Sequence, residues 1–395
     1  MPTKVFDLDY CDLPAEIQYE AGYQQAFILL RYQGVPVQKV IIPFQGRNLS
    51  RESIRTAIHE KAGEEFWSLW LQEFIGYENN TPSESQPKPA TIAVCTRDRP
   101  EDLKRCLEAL LKLSDRGQEI LVVDSASTTD TIRQIVDSFK VVRYCREEAP
   151  GLNRARNRAL REARHEIVAF IDDDAIPDPG WLDALTKNFN HPRVVCVTGL
   201  TMPLEMETPA QEQFESYSTF TRGFARRVYR RSNLHPLAAG KAGAGVNMAL
   251  LGTVLEEIGP FDERLDAGTP TRSGGDTEFF SRILASGRFI VYEPAALNFH
   301  RHRQSRKELR KTIFGYGVGV YAFWTKKLVE ERELSVPYFA LEWFFLRQIP
   351  GLLRSIFLLP GRPPLDLIAA ELLGCIQGPG AFFRSRSQQK DRVRA

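Results

Sequence analysis

The chain is short of cysteine and arranges none of it as a metal or redox motif. Its six cysteines (Cys11, Cys95, Cys106, Cys145, Cys196, Cys375) include no C-x-x-C pair, and several fall in apolar runs that read as core. A zinc cluster is excluded, and a reduced, cytosolic setting fits best. Charge of one sign is lacking too: 52 Lys plus Arg face 50 Asp plus Glu, so bulk charge points to neither a nucleic-acid binder nor a strongly acidic partner. Met1 to Tyr10 carries acids and no apolar stretch, which argues against a cleaved secretory signal. A clean membrane span is also missing. Residues 337–359 are apolar but contain Glu342, Arg347, Gln348, Pro350 and Arg354. A central arginine costs about 2.5–3.5 kcal/mol against about 0.3–0.6 gained per large aliphatic residue, so insertion comes out near break-even. An interfacial helix kinked at Pro350 suits the stretch better.

What is present is a globular chain of 395 residues, long enough for one large domain or two with an appendage. Near the start, Phe27–Tyr32 and Val37–Phe44 read as two strands joined by a tight turn at Gly34. One helix should follow from an N-cap at Ser50, burying Ile54, Ile58, Phe66, Trp70 and Phe74. Residues 76–89 are polar and rich in Pro and Ser, as a linker would be. From Ala90 strands alternate with helices, which implies a parallel sheet covered on both faces. Polar residues cluster where the strands end: Thr96, Arg97 and Arg99 after the first, Asp124 and Ser125 after the second. The arginines suit phosphates and Asp124 suits a base or ribose, although each alone is a common turn residue.

Three consecutive carboxylates, Asp172, Asp173 and Asp174, close the apolar run Ile167–Ile171. A short β-branched run followed by Pro177, Pro179 and Gly180 reads as a buried strand with its acids at the carboxyl end, where open α/β sheets bind ligands. Crowded carboxylates repel one another, and a hard dication relieves that repulsion.

Together these segments resemble the family 2 glycosyltransferases, enzymes of the GT-A fold, over Ala90 to about Arg303. Val94–Pro100 is similar to the opening strand and nucleotide loop, and Val122–Ser127 to the second strand end. Gly151–Asn157 resembles the segment that lays Arg156 and Asn157 near the donor. Asp172–Asp174 matches the D-x-D motif, which implies Asp172 near the ribose, Asp173 also on the nucleotide sugar and Asp174 on the metal. Gly240–Met248 is similar to a glycine-rich donor segment carrying Asn247, although Leu251-Gly252 stands where relatives often have paired arginines. Gly274–Phe280 resembles the E-D motif, with Asp276 on the catalytic aspartate and Gly275 in place of the usual Glu. Asp276 also reads as an N-cap, and Glu278 should point elsewhere. Asn298–Arg303 resembles the stretch that gives the metal a histidine. Both His300 and His302 qualify, with His300 favoured behind Leu297 and Phe299.

The expected fold is therefore α/β and GT-A-like, a Rossmann-like, mostly parallel sheet flanked by helices. A small N-terminal α+β unit (residues 1–75), the linker (76–89), the catalytic domain (90–310) and a helical, amphipathic extension (311–395) complete it. The resemblance implies inverting transfer from a nucleotide diphosphate sugar to a saccharide, lipid-linked or small-molecule hydroxyl, in polysaccharide or glycoconjugate biosynthesis. Asp276 would act as base, with Mg²⁺ or Mn²⁺ on Asp174 and His300. A sugar-phosphate nucleotidyltransferase and an inactive nucleotide-sugar-binding protein are the alternatives. The extension fits three roles: contact with the cytoplasmic face of a membrane, a homodimer contact, or a cap on the catalytic domain.

Overall fold

The computed structural model describes residues 2–76, 86–218 and 220–394. Much of the stretch read as a linker lies outside the described residues. The N-terminal unit is a three-stranded sheet in which β1 (Thr3–Asp9) pairs parallel to β2 (Gln25–Tyr32), itself antiparallel to β3 (Val35–Pro43). The turn between β2 and β3 places Gln33 and Gly34 at φ 51° and 80°, a geometry that fits the right-handed twist of a hairpin. The single helix expected after Ser50 is two, α1 (Arg51–Lys61) and α2 (Glu64–Phe74). The break falls at Gly63, whose N–H donates to the Gln38 side chain at 2.7 Å. The shift in direction takes Phe74 off the core, leaving it 73% exposed.

The α/β region follows the alternation read from sequence: β4 (Ala90–Thr96), α3 (Pro100–Leu110), β5 (Glu119–Ser125), α4 (Thr131–Asp137), β6 (Val142–Glu147), α5 (Leu152–Glu162) and β7 (Ile167–Asp172). After it come β8 (Ala175–Pro177), α6 (Trp181–Thr186), β9 (Val194–Pro203), α7 (Pro209–Tyr217), β10 (Arg227–Tyr229), β11 (Asn247–Leu251), α8 (Gly275–Ala285) and β12 (Phe289–His300). Among the described residues these strands form a nine-stranded sheet in the order β8-β12-β9-β11-β7-β4-β5-β6, with β10 beside β12. Strands β6, β5, β4 and β7 are parallel. Antiparallel β11 then separates β7 from β9. The chain leaves β4 toward β5 and β6 and returns on its other side at β7, so the strand order reverses at the β4–β7 pair. A crevice opens at the carboxyl ends of strands at such a point. The register Cys95↔Asp172 puts Thr96 and the acid triplet side by side at that opening.

The N-terminal sheet is docked on the α/β region. Phe27 and Leu29 pack with Leu200, Met202, Met206 and Leu297, and Arg31 pairs with Asp178 at 2.5 Å.

The C-terminal extension is helical: α9 (Arg306–Glu330), α10 (Val336–Trp343), a π turn (Phe344–Gln348), α11 (Ile349–Ile356) and α12 (Leu365–Arg394). The π turn lies directly before Pro350, whose ring cannot fit an unbroken helical ladder. Helices α9 and α12 meet backbone to backbone. A Cβ on Gly317 would stand 2.2 Å from Glu371 O, and one on Gly374 would stand 2.2 Å from Phe314 O. Among the described residues Leu365–Lys390 is the one helix apolar and long enough to cross a membrane, yet half of its apolar window is buried inside the protein. Phe382 is fully buried, and Ser385 donates to Arg264 O in the loop before α8. One side of this helix is therefore packed on the α/β region, and removing residues 337–395 would strip support from it.

Candidate active site

Strand alternation turns the acids at the end of β7 in different directions. Asp173 turns inward and accepts from Thr96 Oγ1 at 2.7 Å and from Arg99 Nη1 at 3.0 Å. Arg99 Nη1 also reaches Asp174 Oδ2 at 3.0 Å, and Arg303 stands 3.4 Å from the same oxygen. The repulsion inferred from sequence is thus partly answered by two arginines. Burial pushes Asp173 up to about 7, and burial with the neighbouring Asp174 charge raises Asp172. Burial alone would raise Asp174 as well, but His300, Arg99 and Arg303 hold it well below the usual carboxylate range.

The β8–β12 pairing sets Ala175 opposite His300 and so carries the imidazole to the acids. His300 Nε2 lies 3.0 Å from Asp174 Oδ1, an oxygen that is buried and has no hydrogen bond. Ligand atoms from Asp172, Asp174 and His300 all fall within 4.8 Å of one another. Two carboxylates, one imidazole and an unsatisfied buried oxygen fit a hard divalent ion. His302 faces away from this group. Its Nδ1 is 3.2 Å from His300 Nδ1, and its Nε2 is 3.6 Å from Glu215 Oε2. Glu215 accepts from Lys39 of β3 at 2.7 Å, so a polar chain runs from the N-terminal sheet to His300. Burial lowers His302, which favours its neutral form.

Across the cleft, α8 starts after Gly274 at φ 93°. Asp276 is therefore not the N-cap but the second helical residue. Its Oδ2 accepts from Gly245 N–H at 2.8 Å and its Oδ1 from Thr277 N–H at 2.7 Å, which aims a half-exposed carboxylate into the opening. Gly275 has a steric cause: a Cβ there would lie 2.4 Å from Asn153 Nδ2 and 2.5 Å from Asp266 Oδ2. The space is taken by a second carboxylate, Asp266, which pairs with Arg156 at 2.9 Å.

Several residues expected at the donor are spent on structure. Asn157 donates to Phe261 O and Glu263 and accepts from Phe261 N–H, pinning the loop after Pro260. Asn247 donates to Leu200 O and Ala296 O and accepts from Trp181 Nε1, bracing three elements. Both N–H donors of each amide are spent, so neither can donate to a ligand. Ser125 exchanges hydrogen bonds with Gly151 and latches the head of α5. Asp124 already accepts from Ser127 N–H, Tyr144 and Arg146. Arg97 remains exposed beside Asp98. Glu278 points away from the cleft into a buried pairing with Arg282 and Lys326. Sequence reasoning missed Asp266 and Arg146. Asp266 had no motif to mark it.

A model described as "Glycosyl transferase family 2" matches residues 91–250. A pre-mycofactocin glycosyltransferase of Mycobacterium tuberculosis is 24% identical over 66% of this chain and 53% of its own length. This chain therefore spans about half of that relative. Glycosyltransferase AglE of Haloferax volcanii is 25% identical over 66% of this chain and 81% of its own length. The glucosyl-dolichyl phosphate glucuronosyltransferase of the same organism is 25% identical over 57% of this chain and 72% of its own length. Among solved structures, the mannosyltransferase PcManGT from Pyrobaculum calidifontis, in complex with GDP-Man and Mn²⁺, superposes with a TM-score of 0.50 at 18% identity, covering 79% of this chain and 94% of its own. That likeness bears on the fold, which is GT-A.

Proposed function

Residues 91–250 belong to glycosyl transferase family 2, and from that premise we propose that this chain moves a sugar from a nucleotide diphosphate sugar onto an acceptor hydroxyl, with inversion in one displacement. The observation that carries the reading is one grouping: Asp172, Asp174 and His300 gather at the carboxyl end of β7, and Asp276 and Arg156 both lie against Gly245, two residues ahead of the Asn247 that pairs with Ile171 of β7. Asp276 takes the proton of the acceptor hydroxyl as that oxygen bonds to the anomeric carbon. The bond from that carbon to the diphosphate oxygen breaks, and its electron pair leaves with the nucleoside diphosphate. Mg²⁺ or Mn²⁺ on Asp174 and His300, with Asp172 in reach, would neutralise the departing diphosphate. Thr96 and Asp173 hold Arg99 beside that position, and Arg97 is the exposed cation at the same strand end. A panel of nucleotide sugars should yield nucleoside diphosphate on transfer. Release of pyrophosphate instead would turn the reading into nucleotidyl transfer.

The metal assignment gives two expected outcomes. Asp174→Asn keeps the packing of the site and should weaken Mn²⁺ binding by more than the ~10–100-fold typical of a residue one step behind a ligand. Glu215→Gln removes the charge behind His302, two steps from His300, and should weaken binding by less than about tenfold. Manganese titration followed by electron paramagnetic resonance reads both without turnover. Equal affinity in all three proteins would reject the cluster as a metal site.

The acceptor is a saccharide or lipid-linked hydroxyl, and a relative named for a glucosyl-dolichyl phosphate supports the second class. Work at the cytoplasmic face of a membrane suits the free thiols of all six cysteines and the exposed apolar residues of the extension.

A further inference from the structure

The first two turns of α9 and the start of α12 enclose a groove of about 550 Å³, lined by Arg306, Lys307, Arg310, Lys311, Phe314, Asp366, Ala370 and Leu373. Four cations meet one carboxylate there, and Arg306 takes that carboxylate in an ion pair. Lys307, Arg310 and Lys311 are exposed, and among the described residues none has an acidic partner within salt-bridge distance. The floor is apolar: Phe314, Ala370 and Leu373.

Beside the groove the surface turns greasy. Helical spacing sets Leu365, Leu372, Ile376 and Phe383 on one side of α12. Ile376 is 76% exposed, and Leu365, Leu373 and Phe383 are about half exposed. One flank of this stripe is the groove; the other carries Ile368 and Cys375, which touch Gly351 and Gln348 of the α10–α11 segment. That segment continues the exposed apolar surface with Tyr338, Leu341, Phe345, Leu346, Leu353 and Ile356. From Val336 to Leu365 its charges are Glu342 against Arg347, Arg354 and Arg362. An apolar helical face of aromatics and leucines, bordered by arginines and lysines, has the chemistry of an interfacial element.

We propose that the α9–α12 groove receives phosphate headgroups of anionic phospholipids while the apolar stripe beside it enters the bilayer surface. This rests on the membrane-side reading of the preceding section and adds the residues and the lipid class. Charge complementarity selects the occupant. A second copy of this chain would bring the same uncompensated cations against themselves, whereas an anionic leaflet supplies the missing counter-charge. The groove begins three residues after Arg303, which stands at the acid cluster, so the docked face lies next to the cleft.

The test is flotation of the full chain with vesicles of phosphatidylcholine alone or mixed with phosphatidylglycerol. Neither donor nor metal is present, so failure of the transfer reading leaves this measurement untouched. Binding should require phosphatidylglycerol, weaken as salt rises, and withstand millimolar inorganic phosphate. A basic residue near such a surface is worth roughly fivefold in partitioning, so Lys307→Glu/Lys311→Glu should weaken binding by tens of fold. Ile376→Ser/Phe383→Ser should weaken it without changing the salt dependence. Lys104→Glu/Lys112→Glu, at exposed positions on α3 and in the turn after it, should bind as the parent does, and circular dichroism checks that each variant is folded. Three results would overturn the proposal: equal binding to phosphatidylcholine alone, unchanged binding of Lys307→Glu/Lys311→Glu, or a dimer in sedimentation with no vesicle binding.

Discussion

Asp276→Asn is expected to lower transfer by about 10²–10⁴ while donor affinity stays within a fewfold of the parent. The side chain keeps its size but loses the capacity to accept a proton. Its surroundings make the change more demanding than it looks on paper. Both carboxylate oxygens accept backbone N–H groups, from Gly245 and from Thr277, and an amide can satisfy only one of them. The other N–H would face an NH₂ group, at a cost of about 1–3 kcal/mol. Asp276→Ala therefore belongs in the same experiment: it removes base and anchor together, and if the proton transfer dominates it should be no more than about tenfold slower than Asn. Asp266, the nearby carboxylate, does not substitute as base because it is committed to Arg156. Turnover of Asp276→Asn at the parent rate would sink the assignment of the base. Glu278→Gln is not the mild control its position along the helix suggests, because Glu278 is fully buried between two cations.

The fold was legible where periodicity and strand-end chemistry agree. Alternating apolar runs from Ala90 to Ile171 specify parallel strands, and the acids at the end of β7 fall beside Thr96 because the parallel register with β4 sets Cys95 opposite Asp172. The metal-sized cluster was legible through motif order. What sequence could not carry was the destination of amide side chains. Asn157 and Asn247 sit in motif positions, yet each is consumed by carbonyls that lie tens of residues away. Gly275 looked like a missing acid until Asp266 was found against the place its Cβ would occupy. The C-terminal helices showed a similar limit. Their composition announces an apolar surface, but only the Gly317 and Gly374 contacts reveal which side of α12 is spent on α9 and which is left outside.

The other large expected effect is at Lys326, which reaches from α9 to two carboxylates, Asp262 at 2.9 Å and Glu278 of α8. All three side chains are at least nine-tenths buried. Burial would raise both acids, but Lys326 with Arg282 holds Glu278 down, and Arg264 with Lys326 holds Asp262 down. Lys326→Met keeps the length of the stem and removes the charge, leaving two buried carboxylates one cation short. Breaking such an arrangement typically costs about 3–5 kcal/mol, and retention of Arg282 and Arg264 puts the expectation near 3 kcal/mol. The pH dependence fixes the sign. A carboxylate held below its unfolded value contributes stability that is fully present above that unfolded value, near 4, and is lost as pH falls through the folded one. In the variant both folded values rise, so acid unfolding should begin at a higher pH than in the parent, with the largest gap near neutrality. Adding Glu278→Gln to Lys326→Met should cost less than the sum of the two single changes, since the second removes a charge that the first left unpaired. Chemical denaturation across that pH range measures all four proteins. A Lys326→Met protein within about 0.5 kcal/mol of the parent at neutral pH would mean that water reaches this triad and that other contacts, such as the close approach of Gly319 to Gly274, hold α9 to the head of α8.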